Sequence, residues 1–108
     1  MRFHMDQNWQ RIANLVFELD KKVVSKNDNP TLLRIHGKMK QVVADAGIWL
    51  YDPSGEKYSE TRTDIEANIA GSSTKNLVIK EVIKPVLYKE DGGKKILLQK
   101  GIVIVSEH

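Results

Sequence analysis

The chain has 108 residues, 41% hydrophobic and 29% charged, the proportions of a globular protein rather than a disordered one. It has no cysteine, which excludes disulfides, thiolate metal sites and cysteine nucleophiles together. The net charge of +3 is a small excess of 17 bases over 14 acids; residues 1–47 hold eight bases and five acids, and residues 48–108 hold nine of each.

Lys21-Lys22 with Lys26, and Lys94-Lys95, are the only local basic clusters. They read as a helix end and a turn rather than as the clustered basic face of a nucleic-acid binder. No apolar run approaches the ~20 residues that cross a bilayer, and Met1–Asn8 lacks the apolar core of a signal peptide. The expected compartment is the cytoplasm, with neither membrane nor nucleic acid as a partner. A chain this short covers its apolar surface poorly when alone, so oligomerisation enters at the start.

Met5, Trp9, Ile12, Val16, Leu19 and Val23 are spaced 4-3-4-3-4, with Ala13 and Phe17 widening the stripe. That alternation holds the side chains on one line along a helix, the seam of a coiled coil or bundle. Ser25-Lys26-Asn27-Asp28-Asn29-Pro30 breaks the pattern, and it predicts a turn with Asn29 as N-cap and Pro30 as the first helical residue. A second helix repeats the stripe with Leu32, Ile35, Met39, Val42 and Ala46, and Gly47 suits the left-handed residue that closes it. Two helices cannot enclose a core, whereas two copies can. The seams therefore predict a homodimer built on a four-helix bundle, with Met5, Trp9, Ile12, Val16, Leu19, Leu32, Ile35, Met39 and Val42 in its interface. The competing reading is that the hairpin packs only on the rest of its own chain.

After Gly47 the period changes to that of strands. Ile48-Trp49-Leu50-Tyr51 is a short apolar run closed by the turn Asp52-Pro53-Ser54-Gly55. Ile65, Ala67 and Ile69 alternate with polar neighbours. Leu77 to Ile83 is rich in β-branched residues, and Pro85 predicts a bulge or an edge. Lys89 to Lys94 reads as a hairpin turn and Ile96 to Val105 as one last strand, whose Gly101–Val105 stretch is central. The expected fold is α+β: a helical hairpin for dimerisation over 1–47, then a small antiparallel all-β domain over 48–108.

Catalytic arrangements fail in turn. His4, His36 and His108 are scattered, without carboxylates at zinc-site spacing, and His36 reads as a surface or boundary residue beside the seam. Asp64 and Glu66 read as the wet face of a strand. Gly92-Gly93 lacks the strand–loop–helix setting of a phosphate loop. Trp49, Tyr51 and Tyr58 read as core and rim, since no basic groove accompanies them. The chain reads as a binding protein rather than an enzyme, with no cofactor or metal.

The order of parts resembles the C-terminal region of the GrpE family, the nucleotide exchange factors of Hsp70 (DnaK) chaperones. Asp52-Pro53-Ser54-Gly55-Glu56-Lys57-Tyr58 is similar to the family's Asp-Pro-x-Gly-Glu-x-Phe, and Ala46-Gly47-Ile48 to its Phe-Gly-Val. Glu81-Val82-Ile83 through Tyr88 is similar to Glu-Val-Leu-x-x-Gly-Tyr, and Ile102-Val103-Ile104-Val105 to the closing Val-x-Val strand. There are departures. The family's His-x-Ala reads Ile65-Glu66-Ala67, the Gly before Tyr is Leu87, Arg-Pro-Ala reads Gln99-Lys100-Gly101, and the arginine after the glycine turn has only Lys95 nearby.

The resemblance implies a homodimer with β wings projecting from a bundle. It also implies a partner, the ATPase domain of an Hsp70/DnaK-type chaperone, whose opened nucleotide cleft one wing stabilises so that ADP leaves. By motif position the contact residues would be Tyr88, Lys95, Gln99 and Val105, the alternative for Tyr88 and Val105 being core packing. The competing functions are a dimeric adaptor that kept the scaffold and changed partner, favoured by the missing His and Arg, and nucleic-acid binding, motivated by the charge of the helical half.

Overall fold

The computed structural model describes residues 2–108, with side chains from Gln7 onward; the Met5 side chain of the expected seam lies outside them. The fold is α+β. Two helices, α1 (Arg2–Lys22) and α2 (Pro30–Asp45), precede six strands: β1 (Ile48–Tyr51), β2 (Ile65–Ile69), β3 (Leu77–Lys84), β4 (Val86–Asp91), β5 (Lys94–Gln99) and β6 (Gly101–Glu107).

A single 3-10 turn, Val24–Lys26, occupies the start of the predicted break and buries Val24. The Asn29 side chain then accepts hydrogen bonds from the backbone N–H of Thr31 (2.9 Å) and Leu32 (3.3 Å), with Pro30 in the first turn. These are donors that the helix cannot satisfy itself. At the far end Gly47 takes φ 82°, and its carbonyl receives the Glu90 N–H at 2.9 Å, which joins the end of α2 to the β unit.

The strands form two three-stranded sheets, ordered β1-β4-β5 and β2-β6-β3. They share one bent hairpin: β3 continues into β4 through Pro85, and β5 into β6 through Lys100. The expected single strand from Ile96 to Val105 is thus two strands in different sheets. Gly101 sits at the bend, where an added Cβ would lie 2.9 Å from Val86 Cγ2. The absence of a side chain is what lets the two arms cross there. The turn itself is only Gly92-Gly93; Lys89–Asp91 and Lys94, expected within it, are paired strand residues.

The β unit is mixed rather than wholly antiparallel, because β2 pairs with β6 in parallel, Ile65 opposite Gly101 through Ile69 opposite Val105. The long 52–64 segment carries the chain to the far side of β6, so β2 enters running the same way as that strand. Gly101–Val105 is central as expected, flanked by β2 and β3.

Two apolar clusters hold these parts together. One joins Ala13 and Val16 of α1, Val43 of α2, Ile48 of β1 and Leu87 of β4. The other places Phe17 of α1 against Ile65, Ile79, Val82, Val86, Val103 and Val105. The hairpin therefore rests on both sheets along one side.

His36, expected at the surface or boundary, is 3% exposed. Its Nε2 lies 3.4 Å from the Val16 carbonyl and 3.8 Å from Asp20, so the ring fills the junction between the helices with a polar partner at hand. Asp64, read as part of a wet strand face, precedes β2 and is bound by Arg62 through both carboxylate oxygens, at 3.2 and 3.1 Å.

Candidate partner-binding surfaces

The first surface lies on the helices. Ala13, Val16 and Phe17 turn α1 toward the β unit, while Ile12 and Leu15 remain exposed and Leu19 half-buried. On α2, His36 and Val43 face inward, and Ile35, Met39 and Val42 stay exposed. At roughly 100° per residue, Ile12, Leu15 and Leu19 form one stripe of α1, and Ile35, Met39 and Val42 one stripe of α2. Both stripes are left exposed by the packing of the hairpin on the sheets. Leu15 is 63% and Val42 54% exposed, in the middle of an apolar face.

Of the expected interface residues, Ile12, Ile35, Met39 and Val42 thus lie on a free face, and Trp9, Leu19 and Leu32 at its half-buried margin. Val16 leaves the set: it is 3% exposed within its own chain, packed with Val43, Ile48 and Leu87. Leu15 joins the set. It lies off the strict seam, and its place appears only once α1 is rotated by the burial of Ala13 and Phe17.

The second surface lies on the sheet β1-β4-β5. Register sets Trp49 opposite Tyr88, and Tyr88 opposite Leu97, so three apolar side chains form one row across three strands. Side chains alternate along each strand, so Tyr51 and Lys95 share that face. Lys95 Nζ lies 4.9 Å from the centre of the Trp49 ring. A lysine so placed gains cation–π attraction and remains available at the surface. Trp49 is 50% exposed and Leu97 is also exposed, while Tyr88 is half-buried between them. Tyr51 donates its hydroxyl hydrogen to Glu56, and this bond raises the tyrosine pKa above its ordinary value. Glu56 in turn binds Arg62 at 3.0 Å, and Arg62 holds Asp64 below the usual carboxylate range. The 52–64 segment beside the row is thereby pinned.

The sequence-expected contact residues divide. Tyr88 and Lys95 come together on this face, with Tyr88 half-buried and also packed against the second apolar cluster, as the core-packing alternative has it. Gln99 does not: a bulge between Leu87 and Tyr88 shifts the pairing and places Gln99 opposite Leu87 on the helix side. Its amide donates to Asn14 (2.9 Å) and to the Pro85 carbonyl (2.8 Å), and its oxygen accepts from Gln10 and Asn14. The side chain is a tie between α1 and the bend of the hairpin. Val105 is 0% exposed in the second core, so it presents nothing to a partner from there. Trp49 and Leu97, outside the expected set, share this face, and the two-glycine turn carries the signal: a two-residue loop pairs Asp91 with Lys94 and sets the row beyond.

No group of three or more potential metal ligands occurs among the described residues, and no described helix is long and apolar enough to cross a membrane. Comparison with known protein families, curated proteins and solved structures finds no match.

Proposed function

We propose that the chain is a GrpE-like nucleotide exchange factor: a homodimer joined through its helical hairpins into a four-helix bundle, which promotes ADP release from an Hsp70/DnaK-type ATPase domain through the β wing. The observation that carries this reading is the pair of apolar surfaces. The stripes of Ile12, Leu15, Ile35, Met39 and Val42 are exposed in the single chain and call for a second copy. The row of Trp49, Tyr88 and Leu97 under Lys95 lies on the β unit, with Trp49 and Leu97 exposed. Aromatic residues rimmed by a cation suit a transient protein contact.

The mechanism is differential binding. A wing that fits the open ATPase cleft better than the closed one shifts the chaperone toward the open state, and ADP escapes. By linkage, a nucleotide that favours closure weakens the hold of the wing by the same factor.

The test is release of fluorescent ADP from the cognate chaperone. Saturating protein is expected to accelerate release, and Trp49→Ala to remove most of the effect. No acceleration by an intact dimer would overturn the reading.

The second reading is a dimeric adaptor with another partner and no exchange activity. It is favoured by Ile65, which stands where the family has its histidine and is 5% exposed in the core. Tight binding of a partner other than a chaperone, without ADP release, would establish it.

A further inference from the structure

β5 is an edge strand of its sheet, and the turn that enters it fixes which of its backbone groups face outward. Asp91 and Lys94 flank a two-residue loop, Gly92-Gly93, with φ 59° and 83°. A loop with both central residues at positive φ closes on a hydrogen-bonded pair, here Asp91–Lys94. Bonded and non-bonded pairs alternate along an antiparallel ladder, so Lys89–Ile96 is bonded, and Glu90–Lys95 and Tyr88–Leu97 are not. The Glu90 N–H accordingly points the other way, to the Gly47 carbonyl at 2.9 Å. The N–H and C=O groups of Lys95 and Leu97 therefore point out of the sheet, and no described group bonds to them.

The edge carries lysines and a bulge, devices that guard natural edges against indiscriminate pairing, and between them Ile96 (49%) and Leu97 (39%) are both exposed, on opposite faces of the strand. Around them, Lys94-Lys95-Ile96-Leu97-Leu98-Gln99-Lys100 holds three lysines and no acid. A second β5 paired here would double the lysines along the edge and bring no acid to offset them, which disfavours self-association. A strand with acids among apolar residues satisfies both the free backbone and the charge.

We propose that the open edge of β5 takes an extended, acidic and apolar segment of a partner protein as an added strand. Backbone hydrogen bonds to Lys95 and Leu97 supply the pairing, Ile96 and Leu97 the apolar contact on the two faces, and the lysines the selection for acid. The inference goes beyond the exchange reading and does not rest on it, since no chaperone enters its test.

The probe is a short synthetic peptide alternating Glu and Val, with a Lys/Val peptide as control, added to the full chain and read by amide NMR and hydrogen exchange. The Glu/Val peptide is expected to shift and protect the Lys95 and Leu97 amides, and to weaken as salt rises; the Lys/Val peptide is expected to do neither. Leu97→Pro removes an outward donor without breaking the ladder to β4, and is expected to weaken binding about ten-fold or more. Should that variant fail to fold, Lys94→Glu combined with Lys95→Glu decides instead, by reversing the preference toward the Lys/Val peptide. Unchanged Lys95 and Leu97 amides at saturating peptide, or equal binding of both peptides, would overturn the proposal. Protection of these amides that grows with protein concentration alone would overturn it in favour of a second copy.

Discussion

Arg62 is the residue on which the 52–64 segment turns. Its guanidinium binds Glu56 at 3.0 Å and both oxygens of Asp64, with the arginine and aspartate side chains only about a fifth exposed. Arg62→Met is expected to lower the unfolding free energy by roughly 1–3 kcal/mol at neutral pH, measured by urea denaturation, because it strands charged partners that the fold holds together. The sign of the pH dependence follows from Asp64. Its folded pKa is depressed, chiefly by the Arg62 bond. Its contribution is therefore full above the ordinary aspartate range and is lost as pH falls through the lower folded value. The gap between native chain and variant should close in acid; a gap independent of pH would contradict this account. Arg62 carried no sequence signal, since its partners lie two and six residues away along an irregular loop whose path no periodicity reveals. Val105 and Gln99 failed for a related reason: motif position says where a residue stands along the chain, whereas the face it turns to depends on a bulge and on the second core.

At the scale of elements, the helices were legible because each carries a complete local message: an apolar repeat, a polar break, Asn29-Pro30 at one start and Gly47 at one end. The short strand β1 was legible as an apolar run closed by a turn, and β2 from alternation. The bend of the long hairpin was not: Gln99-Lys100-Gly101 does interrupt the apolar residues of Ile96 to Val105, but a polar step inside a strand does not by itself announce a change of sheet, and the handover at Pro85 and Gly101 is a matter of backbone approach. Gly101→Ala tests that bend. Its Cβ would meet Val86 Cγ2 at 2.9 Å and the Lys84 and Val86 backbone at 3.4 Å. A loss of about 1–3 kcal/mol in urea denaturation is expected; an unchanged midpoint would show that the arms do not need the close approach. The parallel pairing of β2 was equally hidden, since strand direction is set by a 13-residue connection, 52–64, rather than by the strand.

At the scale of the whole molecule, the hairpin is sealed against the sheets by part of its apolar surface and leaves the rest exposed. Ala13, Phe17 and Val43 close the hairpin onto the sheets, and the stripe of Ile12, Leu15, Ile35, Met39 and Val42 is left without cover. A second hairpin would dry it and hold two β units apart, each with its Trp49–Tyr88–Leu97 row outward. Because Val42 is 54% exposed in the single chain, Val42→Glu is expected to separate the copies without unfolding either, as read by circular dichroism and sedimentation together. Sedimentation equilibrium of the unaltered chain is the most direct measurement. The account predicts a mass of two copies of the 12.3 kDa chain, falling to one copy in Val42→Glu. A single 12.3 kDa particle across the accessible concentration range would contradict it.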